Sequence, residues 1–164
     1  AELHHIALCS RHHSALLGSG VIADHNAVLA KPQTFMNLSG DAVRELAGFY
    51  HLSSADIIVI HDDIDLEFGR IKIKTAGGSG GHRGVASICA ALTDDTFARV
   101  RIGIGRPPSE QNTTEFVLQP FADDEIVLVD ALIKTAAQCL ELVLNQGTVA
   151  AMNTFHKKMT FTPR

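Results

Sequence analysis

Residues 57–92, IIVIHDDIDLEFGRIKIKTAGGSGGHRGVASICAAL, read as strand, acidic turn, strand, glycine-rich loop and helix. Ile57-Ile58-Val59-Ile60 is an unbroken run of β-branched residues. It predicts a strand buried on both faces, at the centre of a parallel or mixed sheet. Ile71-Lys72-Ile73-Lys74 alternates, which predicts a strand with one wet, basic face. The glycines of 77–81 lead into a helix over 83–92. Working outward, 14–30 predicts a hairpin of two short strands turning at Asp24-His25-Asn26. A helix over 41–50 follows, capped by Ser39. Residues 1–9 have the apolar spacing of a helix tail. Towards the carboxyl end, 99–105 alternates as a strand and is stopped by Pro107-Pro108. A long amphipathic helix over 123–144 places Ile126, Val129, Ile133, Ala137, Leu140 and Leu144 on one stripe. A last helical turn or two covers 148–156, ahead of a frayed tail. Strands alternating with helices define the α/β class.

The 164 residues are 46% apolar and 20% charged, values of an ordinary globular chain rather than a disordered or fibrous one. The length fits one domain over 1–164, able to bury roughly 70% of its unfolded surface without disulfides. No apolar run approaches the roughly 20 residues of a membrane-spanning helix. The three cysteines (Cys9, Cys89 and Cys139) are widely spaced and odd in number, which fits a reducing cytoplasm.

The formal charge of −4 argues against nonspecific nucleic-acid binding, but its distribution does not. Between Arg70 and Arg106 there are seven Lys/Arg and two acids, so this segment is +5 and the remainder −9. Segregated positive charge points to a phosphate-bearing partner; the plainer alternative is a run of solvated strand faces.

Three stretches carry candidate chemistry. In Thr34-Phe35-Met36-Asn37-Leu38-Ser39-Gly40, Asn37 offers a donor and an acceptor at a helix start, suited to a peptide-like or ester group. It could equally be a helix cap. In His61-Asp62-Asp63-Ile64-Asp65, a carboxylate at the end of a strand can orient a histidine. The same acids could hold Mg²⁺, or simply form a polar turn. In Gly77-Gly78-Ser79-Gly80-Gly81-His82-Arg83-Gly84, backbone N–H groups and a helix start form an anion site to which Arg83 adds charge. The Gly-Lys-Ser/Thr ending of a P-loop is absent, and the glycine spacing is not that of a dinucleotide fingerprint. The pairs His4-His5 and His12-His13 are poor metal ligands, because adjacent side chains point apart.

Over KPQTFMNLSG (31–40), HDDIDLEFGRIKIKTAGGSGGHRG (61–84) and RVRIGIGRP (99–107), the sequence resembles bacterial-type peptidyl-tRNA hydrolases. Ala151-Met152-Asn153 adds to the likeness. The resemblance implies one α/β domain with a mixed twisted sheet flanked by helices. It implies hydrolysis of the ester between a peptide and the 3′ ribose of tRNA, by a cytoplasmic monomer with no metal and no organic cofactor. By the same resemblance, Asn37 contacts the peptide and the tRNA end, and Phe35 and Met36 line that cleft. Asp62 orients the catalytic histidine, and His82 stands in the gate over the substrate. Arg83 replaces a common Asn that contacts tRNA, exchanging an amide hydrogen bond for a phosphate contact.

The family's opening strand, its Gly-Asn-Pro-Gly turn and its Thr-Arg-His-Asn motif, which holds the general base, have no counterpart in 1–164. Ser10-Arg11-His12-His13 is not that motif, since 1–33 aligns with the segment that follows it. The expectation is therefore an amino-terminally truncated member, inactive and prone to aggregate through an uncovered edge of the 57–60 strand. Two rivals remain at this stage. One is a non-catalytic RNA-binding relative of the kind known in organelle intron splicing. The other is an Mg²⁺-dependent phosphotransferase using Asp62, Asp63 and Asp65.

Overall fold

The structure, a computed structural model, describes residues 1–107 and 112–156. Pro108 and the tail beyond His156 lie outside the described residues. The chain divides into two compact units, 1–59 with 75–98, and 60–74 with the residues from 99 onward.

The first unit holds an antiparallel sheet of three strands in the order β1 (Ser10–His12), β2 (Ala15–Ile22) and β3 (His25–Pro32). The predicted hairpin is present, with eight-residue strands. Its turn lies one residue earlier than expected. Ile22 pairs with His25, and the two residues between them, Ala23 and Asp24, have φ of 49° and 64°. Positive φ at both central positions follows the strand twist, which outweighs the lack of glycine there. The helix tail expected over 1–9 is only a 3-10 turn, Glu2–His4, closed by His5 at φ 53°. The segment after it runs across β2 instead. Ile6 is 6% exposed, and a Cβ on Gly20 would lie 2.6 Å from its Cγ1. Burying Ile6 in the notch left by Gly18 and Gly20 outweighs local helix spacing.

Helix α1 (Ser39–Tyr50) starts two residues earlier than expected, and Ser39 does not cap it. The Ser39 hydroxyl donates to the Met36 carbonyl at 2.9 Å, tying the helix to the 3-10 turn Met36–Leu38. Helix α2 (Arg83–Leu92) matches its prediction. The two helices meet where a Cβ on Gly40 would lie 2.1 Å from the Ser87 carbonyl oxygen. Gly40 N also donates to Ser87 Oγ at 2.9 Å. Val85, Ile88 and Phe97 form the adjoining core, with Val43, Ile57 and Val59 packed against it.

The second sheet has the order β4 (Ile58–Asp63), β6 (Ala98–Gly103), β5 (Ile71–Lys74). Ala98 N bonds Ile57 O and Ile104 N bonds Asp63 O, at equal sequence separation, so β4 and β6 run parallel. Strand β5 pairs with β6 antiparallel, so this sheet is mixed. Two three-stranded sheets thus replace the single sheet expected. Strand β4 is at the end of its sheet, not the centre, and Ile60 is 48% exposed. In β5 the alternation holds, with Ile71 and Ile73 buried. Arg99 overturns an expectation: it is 1% exposed and lies on no wet face.

A short helix that the sequence did not predict, α3 (Thr113–Leu118), is capped by Asn112, whose Oδ1 accepts from Thr114 N. Helix α4 (Asp123–Phe155) joins the two predicted carboxyl-terminal segments across Gly147, at φ 83°. It packs on β5 through a different stripe from the predicted one. Leu132, Ala136, Cys139 and Val143 are buried, whereas Ile126 and Ile133 are about half exposed. Apolar spacing alone defined two adjacent stripes, and packing chose the one with smaller side chains at two of its four positions. Burial pushes the Cys139 thiol up to about 11, so it is inert at neutral pH. At the helix end, His156 Nε2 accepts from Ile73 N at 2.9 Å, and the His156 carbonyl accepts from Arg70 at 3.3 Å.

Gly40→Ala destabilises by about 1–3 kcal/mol, since the methyl meets backbone. Gly48→Ala, where nothing lies within 4 Å, stabilises by about 0.5–1 kcal/mol. Urea unfolding of both variants checks this. Burial, then the charges of Lys72 and Arg70, hold the His156 pKa below its ordinary 6.5. A ring that accepts a hydrogen bond at Nε2 must be neutral. The unfolded chain therefore binds the extra proton first, and the contribution of His156 is complete above pH 6.5 and lost as pH falls below it. Melting temperature measured from about pH 7.5 down to about pH 5.5 should fall less steeply for His156→Gln, which cannot titrate there.

Candidate functional site

In the first unit, Phe35, Met36 and Asn37 lead out of β3 into the 3-10 turn Met36–Leu38. All three are exposed, Phe35 at 80% and Met36 at 55%. Large apolar side chains held this far into water, on a turn braced from behind, form a contact surface rather than a core. The brace is the start of α2. A Cβ on Gly84 would lie 2.5 Å from Met36 Sδ and 3.0 Å from His82 Cε1. Glycine at 84 therefore lets the Met36 side chain rest on the helix start, beside His82.

His82 is the N-cap of α2, and its Nδ1 accepts from Val85 N at 3.1 Å. A neutral imidazole has one lone pair, and here it is spent on the cap. In the neutral ring the proton then sits on Nε2. Arg83, the first residue of the helix, is exposed. Gly80 and Gly81, with φ of 61° and 83°, give the preceding loop a path that other residues would resist. The structure thus gathers Phe35, Met36, Asn37, His82 and Arg83 on the elements around the start of α2. Asn37 does not cap α1; Leu38 occupies that position.

Asp62 belongs to the second unit, in the last turn of strand before β4 ends at Asp63. The carbonyl of Asp62 lies 2.6 Å from His61 Nδ1. The neighbouring acids are engaged. Asp63 Oδ2 accepts from Arg101 at 2.7 Å, and Asp65 Oδ1 from Arg106 at 2.7 Å. Among the described residues, no three His, Cys, Asp or Glu side chains gather as a metal site. No described helix is long and apolar enough to cross a membrane.

Of the seven basic residues in 70–106, Arg99 is buried, Arg101 pairs with Asp63 in a half-buried site, and Arg106 pairs with Asp65 at the surface. Sequence counting missed this because the acids that pair with them lie outside the basic segment. A separate hollow of about 540 Å³ in the first unit is lined by Cys9, His12, His13, Phe49 and Tyr50. It includes none of Phe35, Met36, Asn37, Asp62, His82 and Arg83.

A profile of peptidyl-tRNA hydrolases matches residues 1–162. The chain belongs to the peptidyl-tRNA hydrolase family. The peptidyl-tRNA hydrolase of Lachnoclostridium phytofermentans is 40% identical over 158 residues, covering 96% of this chain and 83% of that protein. That of Mycobacterium tuberculosis is 48% identical over 142 residues, covering 87% and 74%. The crystal structure of the Acinetobacter baumannii peptidyl-tRNA hydrolase superposes with a TM-score of 0.86 at 35% identity. It covers 96% of this chain and 80% of that one.

The His82 cap can be tested by stability. His82→Ala should cost about 0.5–2 kcal/mol, and His82→Asn, which can also cap, only a few tenths. Thermal melts of the two variants separate a capping role from general packing.

Proposed function

We infer that this chain acts on peptidyl-tRNA, hydrolysing the ester that joins the peptide to the 3′ ribose. The observation that carries the reading is the membership of 1–162 in the family, joined to the exposed Phe35-Met36-Asn37 surface beside the capped start of α2. Asn37 presents an amide to the peptide or the tRNA end, while Phe35 and Met36 cover the apolar parts of the substrate. Arg83 and the Nε2–H of His82 offer donors to phosphate or carbonyl oxygen at a helix start.

The reaction needs water oxygen to bond to the ester carbonyl carbon as a histidine takes its proton. The ribose 3′ oxygen then leaves and is reprotonated. Asp62 is the group that orients that histidine and stabilises its charged form. A carboxylate is a weaker base than an imidazole and does not replace it. Nor does His82 replace it, since its neutral lone pair is bonded to Val85 N. Within 1–164 we assign the holding and orienting groups, Asn37, His82, Arg83 and Asp62. A positioned base is worth about 10²–10⁴-fold. Metal plays no part in this scheme, and the protein works as a cytoplasmic monomer.

The test is release of tRNA from N-blocked aminoacyl-tRNA by 1–164 in EDTA, with and without added imidazole. The expected result is little release alone, and release in imidazole that Asp62→Asn or Asn37→Ala lowers by at least about tenfold. Enzymatic release without imidazole would place the base among the histidines of 1–164. Tight tRNA binding with no release in either condition would favour a purely RNA-binding protein.

A further inference from the structure

We propose that Met36 is a site of reversible oxidation, whose sulfoxide loosens the turn that presents Asn37 by taking the Ser39 hydroxyl for itself. The chemistry at the sulfur stands on geometry alone; its consequence for substrate rests on the hydrolase reading. Met36 is 55% exposed, so a hydroperoxide reaches it. Its sulfur is not open on every side. Towards α2, a Cβ on Gly84 would already lie 2.5 Å from Sδ, so no further atom fits there. The Ser39 hydroxyl stands 3.9 Å from Sδ, and it donates to the Met36 carbonyl at 2.9 Å. Ser39 itself is buried, so the hydroxyl it lends to that carbonyl is not one that bulk water replaces.

A lone pair on Sδ attacks one oxygen of hydrogen peroxide, and the O–O bond breaks. The transferred oxygen gives its proton to the departing hydroxide, which leaves as water. The thioether is oxidised to the sulfoxide and the peroxide is reduced. The two lone pairs of the sulfur are not equivalent here, because the side facing Gly84 is closed. Oxidation therefore yields one sulfoxide epimer, with its oxygen away from Gly84 and within reach of Ser39 Oγ. A thioether is a weak acceptor, and a hydroxyl has a single proton to donate. The sulfoxide oxygen takes that proton from the Met36 carbonyl. The turn Met36–Leu38 then keeps only its backbone bonds, Ser39 N to the Met36 carbonyl and Leu38 N to the Phe35 carbonyl at 2.9 Å. A polar group also replaces an apolar one between Phe35 and Asn37. A thiol-dependent methionine sulfoxide reductase restores the thioether.

Brief treatment of 1–164 with hydrogen peroxide, followed by peptide mass spectrometry and amide exchange, tests the assignment. The Met36 sulfoxide should be mostly one epimer, repaired by only one of the two epimer-specific reductases. Exchange of the Leu38 and Ser39 amides should rise about fivefold or more, as when one hydrogen bond is lost, and return on repair. Peroxide-treated Met36→Leu, in which the other sulfurs still react, should show no such rise. Equal amounts of the two epimers, or turn amides unmoved by oxidation of Met36, would overturn the proposal. Binding of N-blocked aminoacyl-tRNA should weaken in the oxidised chain and recover on repair; equal binding before and after oxidation would also overturn it. Absence of binding by the untreated chain would count against the hydrolase reading instead, and the epimer ratio and amide exchange would still decide the chemistry at Met36.

Discussion

The first unit depends on the close approach of α1 to α2 at Gly40. No side chain fits there, because a Cβ would sit 2.1 Å from the Ser87 carbonyl oxygen. The Gly40 N–H, one of the groups a helix start leaves unpaired, is satisfied by Ser87 Oγ across the contact. One glycine therefore provides both the approach and the hydrogen bond. With α1 seated on α2, the turn Met36–Leu38 is carried onto the start of α2, where Gly84 makes room for Met36. The exposed residues Phe35 and Asn37 are then presented by a rigid support, as a binding surface requires.

The start of α2 also sets the chemistry of His82. Bonding Nδ1 to Val85 N satisfies an orphan donor and selects the Nε2–H tautomer. The half-buried ring thus serves the helix start as its cap.

The second unit turns on charge pairing at the end of β4. The acids after Ile60 are not equivalent. Asp63 and Asp65 are each paired with an arginine of the β6 region. Asp63 is the more buried of the two and engages three donor groups, so it orders the turn. Arg99, two residues before Arg101, is buried altogether. Basic character counted along the chain thus overstates what a partner meets, since pairing and burial act on particular side chains.

By itself the sequence determined the elements whose signals are local. Helix α2 was legible from its glycine-rich entry and apolar spacing, β5 from strict alternation, and the hairpin from its turn residues. The motifs around Asn37, Asp62 and His82 were legible as well, because their residue types and order are specific to one family. Tertiary structure decided what depends on distant partners. It made 1–9 a strap by burying Ile6 against Gly18 and Gly20, and it chose which apolar stripe of α4 faces β5. It moved β4 to the end of its sheet and tied Ser39 back to Met36 instead of leaving it as a cap. It also paired Asp63 with Arg101. Local periodicity lists the surfaces that can be buried and the groups that can pair; only contacts between residues far apart in the chain select among them.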